Sequence, residues 1–191
     1  MTKEEFLQRF QMLSLATSTH SYRHQHKLKH AAVLVPIVIN KEQNQLDVLL
    51  TKRSVHLKHH AGQVSFPGGK VEPSDKSLIA TALRETEEEI GLKAKYIQVL
   101  GQLPSYQTLT GYDITPIIAF TQPIQHYSFD KNEVSEVFQV PLSHFLMREK
   151  HLQVSTYIKG KRHHIHFMPY KQHNIWGVTA AILHDLSVLL N

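Results

Sequence analysis

Between Leu83 and Ile90 the chain carries one arginine, Arg84, and four glutamates, Glu85, Glu87, Glu88 and Glu89. Projected at about 100° per residue, Leu78, Ile79, Ala82, Leu83, Thr86 and Ile90 fall on one face, so the stretch reads as an amphipathic helix. Glu85 and Glu89 lie one turn apart at the edge of that face with Glu88 beside them, while Glu87 points away. Like charges at this spacing destabilise an isolated helix by about 0.2–0.5 kcal/mol per pair. A divalent cation would offset that repulsion, because hard ions such as Mg²⁺ take oxygen ligands and keep waters for a phosphate substrate. Arg84 can orient a carboxylate through a charge-assisted fork. On their own these residues also suit a solvated, acidic helix face.

The surrounding elements decide what such a helix could serve. The helix is expected over roughly 76–90, stopped by Gly91 as the left-handed residue beyond its last turn. Before it, AAVLVPIVI (31–39) reads as a buried strand, QLDVLLTKR (45–53) as a second and QVSF (63–66) as a third, and Pro67-Gly68-Gly69 reads as a turn. After it, strands are expected at 96–103, 113–121 and 136–140, with a short helix from Pro141 to about Met147. A hairpin follows, 152–158 with 163–170 about Lys159-Gly160-Lys161, then an apolar helix over 176–190. Residues 3–16 read as a further helix, with Phe6, Leu7, Phe10 and Leu13 at helical spacing. Strands outnumber helices and do not alternate strictly with them, which favours an α/β sandwich around a mixed sheet over a doubly wound parallel fold.

Length and composition set the outer bounds. The 191 residues and 41% hydrophobic content fit one domain spanning the chain. With no cysteine, disulfides, zinc-thiolate centres and thiol nucleophiles are excluded, and a reducing, cytoplasmic location is expected. No segment reaches the roughly 18 apolar residues of a membrane span, so no membrane partner is expected. The net charge of +5 favours an anionic ligand. Apart from HSYRHQHKLKH (20–30) there is no basic stripe of the kind nucleic acid requires, which makes that partner unlikely on these grounds. His59, His60, His163, His164 and His166 invite a transition-metal reading, but no third ligand is placed by sequence to complete a site.

The acidic stretch closely resembles the Nudix box. Gly69, Asp75 and the run Arg84-Glu85-Thr86-Glu87-Glu88-Glu89-Ile90-Gly91-Leu92 occupy its positions, with eight residues rather than seven between the acid and the arginine and Thr86 in an aliphatic slot. Asp75 stands where the box has glutamate and could instead cap the helix. Upstream, LLTKRSVHLKHHAGQVSFPGG (49–69) resembles the signature of the coenzyme A pyrophosphatase branch of that family. The resemblance covers about residues 30–190, leaving the N-terminal helix and basic connector outside it.

This resemblance implies an α/β/α sandwich and water-driven cleavage of a pyrophosphate, here in coenzyme A or its thioesters, to 3′,5′-ADP and 4′-phosphopantetheine or its acyl form. It implies that Glu85 and Glu89 hold Mg²⁺ or Mn²⁺, that Glu88 adds to the same or a second ion, and that the Gly69 carbonyl is a further ligand. Lys52, Arg53 and Lys58 are candidate phosphate contacts, with His60, Gly68 and Gly69 beside them in the substrate-binding signature. Glu133 is the candidate general base and Glu136 its runner-up. Hydrolysis of ADP-ribose or a dinucleotide, and a silent nucleotide or nucleic-acid binder, stay open as alternatives.

Overall fold

The computed structural model describes residues 1–11, 27–40, 44–57, 60–123, 127–158 and 161–191. Helix α1 (Lys3–Gln11) starts where Thr2 and Glu5 cap each other, the Thr2 hydroxyl accepting from the Glu5 N–H at 3.1 Å and Glu5 Oε2 accepting from the Thr2 N–H at 2.8 Å. Strands β1 (Lys29–Asn40), β2 (Gln45–Arg53), β3 (Val64–Ser65) and β4 (Gly68–Lys70) precede helix α2 (Leu78–Ile90). Then come β5 (Ile97–Gln102), β6 (Tyr106–Gln107), β7 (Tyr112–Thr121), β8 (Val134–Pro141), helix α3 (Leu142–Leu146), β9 (Leu152–Ile158), β10 (Lys161–Phe167) and helix α4 (Val178–Leu190). The short strands β4 and β6 were not legible, and the turn expected at Pro67-Gly68-Gly69 is instead a strand edge pairing with Ala31–Val33.

One sheet runs β3-β2-β1-β7-β5, with β4 on β1, β6 on β7 and β8 on β2. At its centre β1 and β7 are parallel over ten pairs, Lys29 with Tyr112 through Val38 with Thr121, while the other pairings are antiparallel. The sheet is mixed, as expected. Side chains alternate across it. Ala32, Leu34, Ile117 and Ala119 pack with Ala82 of α2 on one face. Val35, Ile37, Ile118 and Phe120 pack on the other face with Phe6, Phe10 and the α4 residues Ile182, Leu183 and Leu186. The result is a helix–sheet–helix sandwich, in which β9 and β10 form a separate two-stranded ribbon. Among the described residues no helix is long and apolar enough to cross a membrane.

Helix α2 departs from its projection by a small rotation. Thr81 is fully buried and Ile79 is 38% exposed, so the buried stripe runs through Thr81, Ala82, Thr86, Glu89 and Ile90. The rotation carries Glu89 from the edge into the interface.

The N-terminal helix is integral to the fold. Phe6 is fully buried, with its ring 5.9 Å from Phe10 and 5.2 Å from Phe120, and the Arg9 guanidinium donates to the Leu190 carbonyl at the end of α4. Phe6→Ala should therefore destabilise the protein by about 3–5 kcal/mol, measured by denaturant unfolding. A change below about 1 kcal/mol would mean that α1 is not docked in solution.

Candidate active site

The chemistry-bearing residues gather where α2 faces the strand edge formed by Gly68 and Gly69. Ser77 caps the helix, its hydroxyl accepting from the Ala80 N–H at 3.1 Å, and Gly91 ends it in the left-handed region at φ 70°. Asp75 is therefore not the cap. Its carboxylate takes a two-pronged hydrogen bond from Arg84, Nε to Oδ1 and Nη2 to Oδ2 at 3.0 Å each, and also accepts from the Thr81 hydroxyl and the Glu72 N–H at 2.9 Å. These bonds, Arg84's foremost, hold the Asp75 carboxyl well below the usual carboxylate range. Arg84 is pinned in turn. Its Nη1 reaches Glu85 Oε1 at 3.0 Å and Glu88 Oε2 at 2.9 Å, and its Nη2 donates to the Lys70 carbonyl at 3.2 Å.

Three carboxylates thus sit in three environments. Glu88 is 58% exposed, Glu85 18% and Glu89 5%. Glu89 Oε2 accepts from the Gly68 N–H at 3.2 Å, and Oε1 lies 3.7 Å from Arg53 Nη1. Those contacts do not compensate for its burial, which pushes the Glu89 carboxyl up to about 8, with Glu85 and Glu133 adding like-charge repulsion. Burial raises Glu85 as well. Glu87 is exposed, as the projection indicated.

The two glycines permit this closeness. A Cβ at Gly69 would collide with the Glu85 carboxyl, and one at Gly68 would run into the Ala32 carbonyl and Val33. Only residues without side chains let the backbone press directly on the carboxylates and on β1.

A bulge in β8 aims the arginine of β2. Lys52 pairs with Glu136 but Arg53 pairs with Val134, leaving Ser135 as the extra residue, its hydroxyl donating to the Lys52 carbonyl at 3.1 Å. Arg53 reaches Glu89 on the α2 face, and its Nε is buried without a hydrogen-bond partner among the described residues. Lys52 shares the opposite side of the ladder with Glu136, whose carboxylate lies 3.3 Å from His173. Glu136 is therefore engaged away from the carboxylates. Glu133 does act on them. Its loop is tied to β2 by the Ser54 N–H donating to the Glu133 carbonyl at 2.8 Å and to α2 by the Asp130 N–H donating to the Glu89 carbonyl at 3.3 Å.

His60 is exposed in a left-handed turn at φ 58°, with Nδ1 2.8 Å from the Gln63 side-chain oxygen, so it braces its own loop and does not touch the carboxylates. Lys58 and His59 lie outside the described residues. Sequence reasoning missed the partnership of Asp75 with Arg84 and the Gly68 N–H. It also missed a gathering of imidazoles, in which the ring of His184 lies 4.6 Å from His166 and 5.5 Å from His151.

Among the described residues no three histidine, aspartate or glutamate side chains stand closed around a cation, since the Arg84 guanidinium lies between Glu85 and Glu88. The donor set nonetheless fits one. All its atoms are hard oxygens, and two carboxylates are held in burial that a divalent ion would relieve.

Residues 28–169 match the NUDIX domain family. The chain belongs to the Nudix family. Consistently, a Nudix hydrolase of Escherichia coli O7:K1, the uncharacterized NudL, is 40% identical over 188 residues, which cover 98% of this chain and 94% of that protein. The NudL of Shigella boydii serotype 4 matches at the same identity and coverage. Among solved structures, a MutT/nudix family protein from Enterococcus faecalis superposes with a TM-score of 0.56 at 19% identity, over 98% of this chain and 68% of that one. RenU, a Nudix hydrolase of M. smegmatis, gives 0.51 at 21% identity over 62% and 74%. At such identities the likeness concerns the fold. The chain is thus a Nudix hydrolase, an enzyme of a family that generally uses divalent metal ions.

The raised Glu89 carboxyl gives the metal-free protein a defined pH dependence. Between the ordinary glutamate value and about 8 the native state binds a proton that the unfolded chain has released, so this contribution is full at acid pH and is lost as pH rises through about 8. The expected slope is a fall of up to about 1.4 kcal/mol per pH unit across that window. Urea unfolding in chelator at several pH values checks it, and Glu89→Gln should flatten the dependence. An unchanged slope in the variant would assign the proton elsewhere.

Proposed function

We propose that this Nudix hydrolase cleaves the pyrophosphate of coenzyme A or its thioesters, releasing 3′,5′-ADP and 4′-phosphopantetheine or its acyl form. One observation carries the reading: residues 49–69, whose sequence resembles the coenzyme A branch, contribute both Arg53 and the Gly68 N–H to Glu89. The segment that carries this resemblance thus touches the carboxylate proposed to hold the metal. Coenzyme A carries a pyrophosphate and a 3′-phosphate monoester of roughly −1.5 to −2 charge, matched by a chain of net charge +5.

In this reading Glu85 and Glu89 would hold Mg²⁺ or Mn²⁺ with Glu88 and the Gly69 carbonyl, and an ion bound there would supply Lewis acidity toward the pyrophosphate and make the attacking water more acidic. The chain's own residues do the rest. Arg53, the best-placed cation, engages phosphate oxygens through its fork, with Lys58 contributing from the same segment, whereas Lys52 beside Glu136 and His60 against Gln63 have no part in it. Glu133, on the loop tied to both β2 and α2, accepts the water proton. Arg84 is a positioning residue, held by Asp75 so that Glu85 and Glu88 keep their orientation. The enzyme works as one domain in the cytoplasm.

The test is a panel of CoA, acyl-CoAs, ADP-ribose, diadenosine polyphosphates and nucleoside triphosphates incubated with the protein and Mg²⁺ or Mn²⁺, with products identified by mass. CoA or its thioesters should yield 3′,5′-ADP. Consumption of ADP-ribose with CoA untouched overturns the substrate assignment. Glu89→Gln should lower kcat by about 100-fold or more while the protein stays folded. Near-normal turnover would remove Glu89 from the metal site.

A further inference from the structure

From Lys150 to His184 the sequence contains no aspartate or glutamate, while it holds five lysines and arginines and six histidines. The β9–β10 ribbon lies within this stretch. Eleven large apolar side chains are exposed among the described residues, and four of them, Leu152, Val154, Tyr157 and Trp176, come from this one stretch, with Met147 just before it. Scattered singly they would need no explanation; grouped, they do.

The strand register shows how they are arranged. Leu152 pairs with Phe167 and Val154 with Ile165, and residues directly opposite in an antiparallel pair project to the same face. The Phe167 ring stacks with Trp176 at 6.2 Å and 14°, extending that face by an aromatic. Leu152 is 55% and Val154 52% exposed. The alternate face meets the body of the protein at its base, where His166 is buried, and is open toward the tip, where Tyr157 is 74% exposed beside exposed Arg162. Arg148 and Lys150 stand exposed at the approach to the ribbon, with Glu149 between them.

We propose that this ribbon, together with Trp176, docks on an anionic lipid surface. Leu152 and Val154 beside Trp176 on one face, with Tyr157 and Arg162 on the other face toward the tip and no carboxylate in the stretch, match a ribbon that enters the boundary between acyl chains and anionic headgroups. A second copy of the chain is a poorer occupant, because two ribbons that both lack carboxylates would juxtapose like charges. Nucleic acid would use the cations and aromatics but has no use for exposed Leu152 and Val154. Surface docking needs no spanning segment, so it revises the expectation of no membrane partner without requiring a transmembrane helix. It is also independent of which pyrophosphate the enzyme cleaves.

Trp176 is the only tryptophan, so emission excited selectively at tryptophan reports on this surface. The full-length protein is titrated with vesicles of phosphatidylcholine, and with vesicles of equimolar phosphatidylcholine and phosphatidylglycerol. The expected result is cosedimentation and a blue shift of Trp176 emission with the anionic vesicles only, weakened by salt. Leu152→Ser combined with Val154→Asp should reduce vesicle affinity by about tenfold or more, with circular dichroism and turnover unchanged. Three outcomes overturn the proposal. They are no binding to anionic vesicles, binding undiminished in the double variant, and a double variant that instead abolishes a concentration-dependent dimer or the binding of a single-stranded oligonucleotide.

Discussion

The site depends on one constraint: a carboxylate must be kept almost out of water within reach of two others. Glu89 is placed there by α2, and the sheet edge closes over it because Gly68 and Gly69 have no side chains to hold the backbone away. The remaining polar contacts can be understood as responses to that burial. Arg53 approaches Glu89 from β2, and Arg84 spreads one guanidinium over Asp75, Glu85 and Glu88. Acidic side chains crowded in this way are poised for an incoming positive charge.

The sheet converts distant sequence into this arrangement. Arg53 ends β2, Gly68 begins β4, Glu89 belongs to α2 and Glu133 precedes β8, so four elements contribute to one carboxylate cluster. The β8 bulge is the small irregularity that matters most. By admitting Ser135 as an extra residue it separates the fates of neighbours, sending Arg53 toward the glutamates and leaving Lys52 opposite Glu136.

Much of this was legible in the sequence, and the parts that were not have physical reasons. Long apolar runs gave β1, β2 and β7 nearly to the residue, because alternate burial on both faces of a sheet leaves a strong pattern. Strands of two or three residues, such as β4 and β6, leave no period to detect, and Gly-Gly reads as a turn when only local preference is consulted. The box residues were found through the resemblance of the acidic stretch to the Nudix box. The pairing of Asp75 with Arg84 was not, since the two meet through a fold-back of the chain ahead of α2 that local pattern does not encode. The rotation of α2 that buries Thr81 and exposes Ile79 follows from packing on the sheet, which a helical projection does not contain.

The parallel pairing of β1 with β7 has a consequence for how the enzyme comes into being. Lys29 must find Tyr112 across a long intervening segment that includes β2, β3, β4 and α2. Closing such a loop is entropically demanding and slows folding relative to chains rich in local contacts. Helix α2 can form early from its own caps, yet the Gly68–Gly69 edge that seals Glu89 is anchored on β1. The seal over Glu89 therefore depends on β1 being in place, and β1 in turn is held by its long-range partner β7.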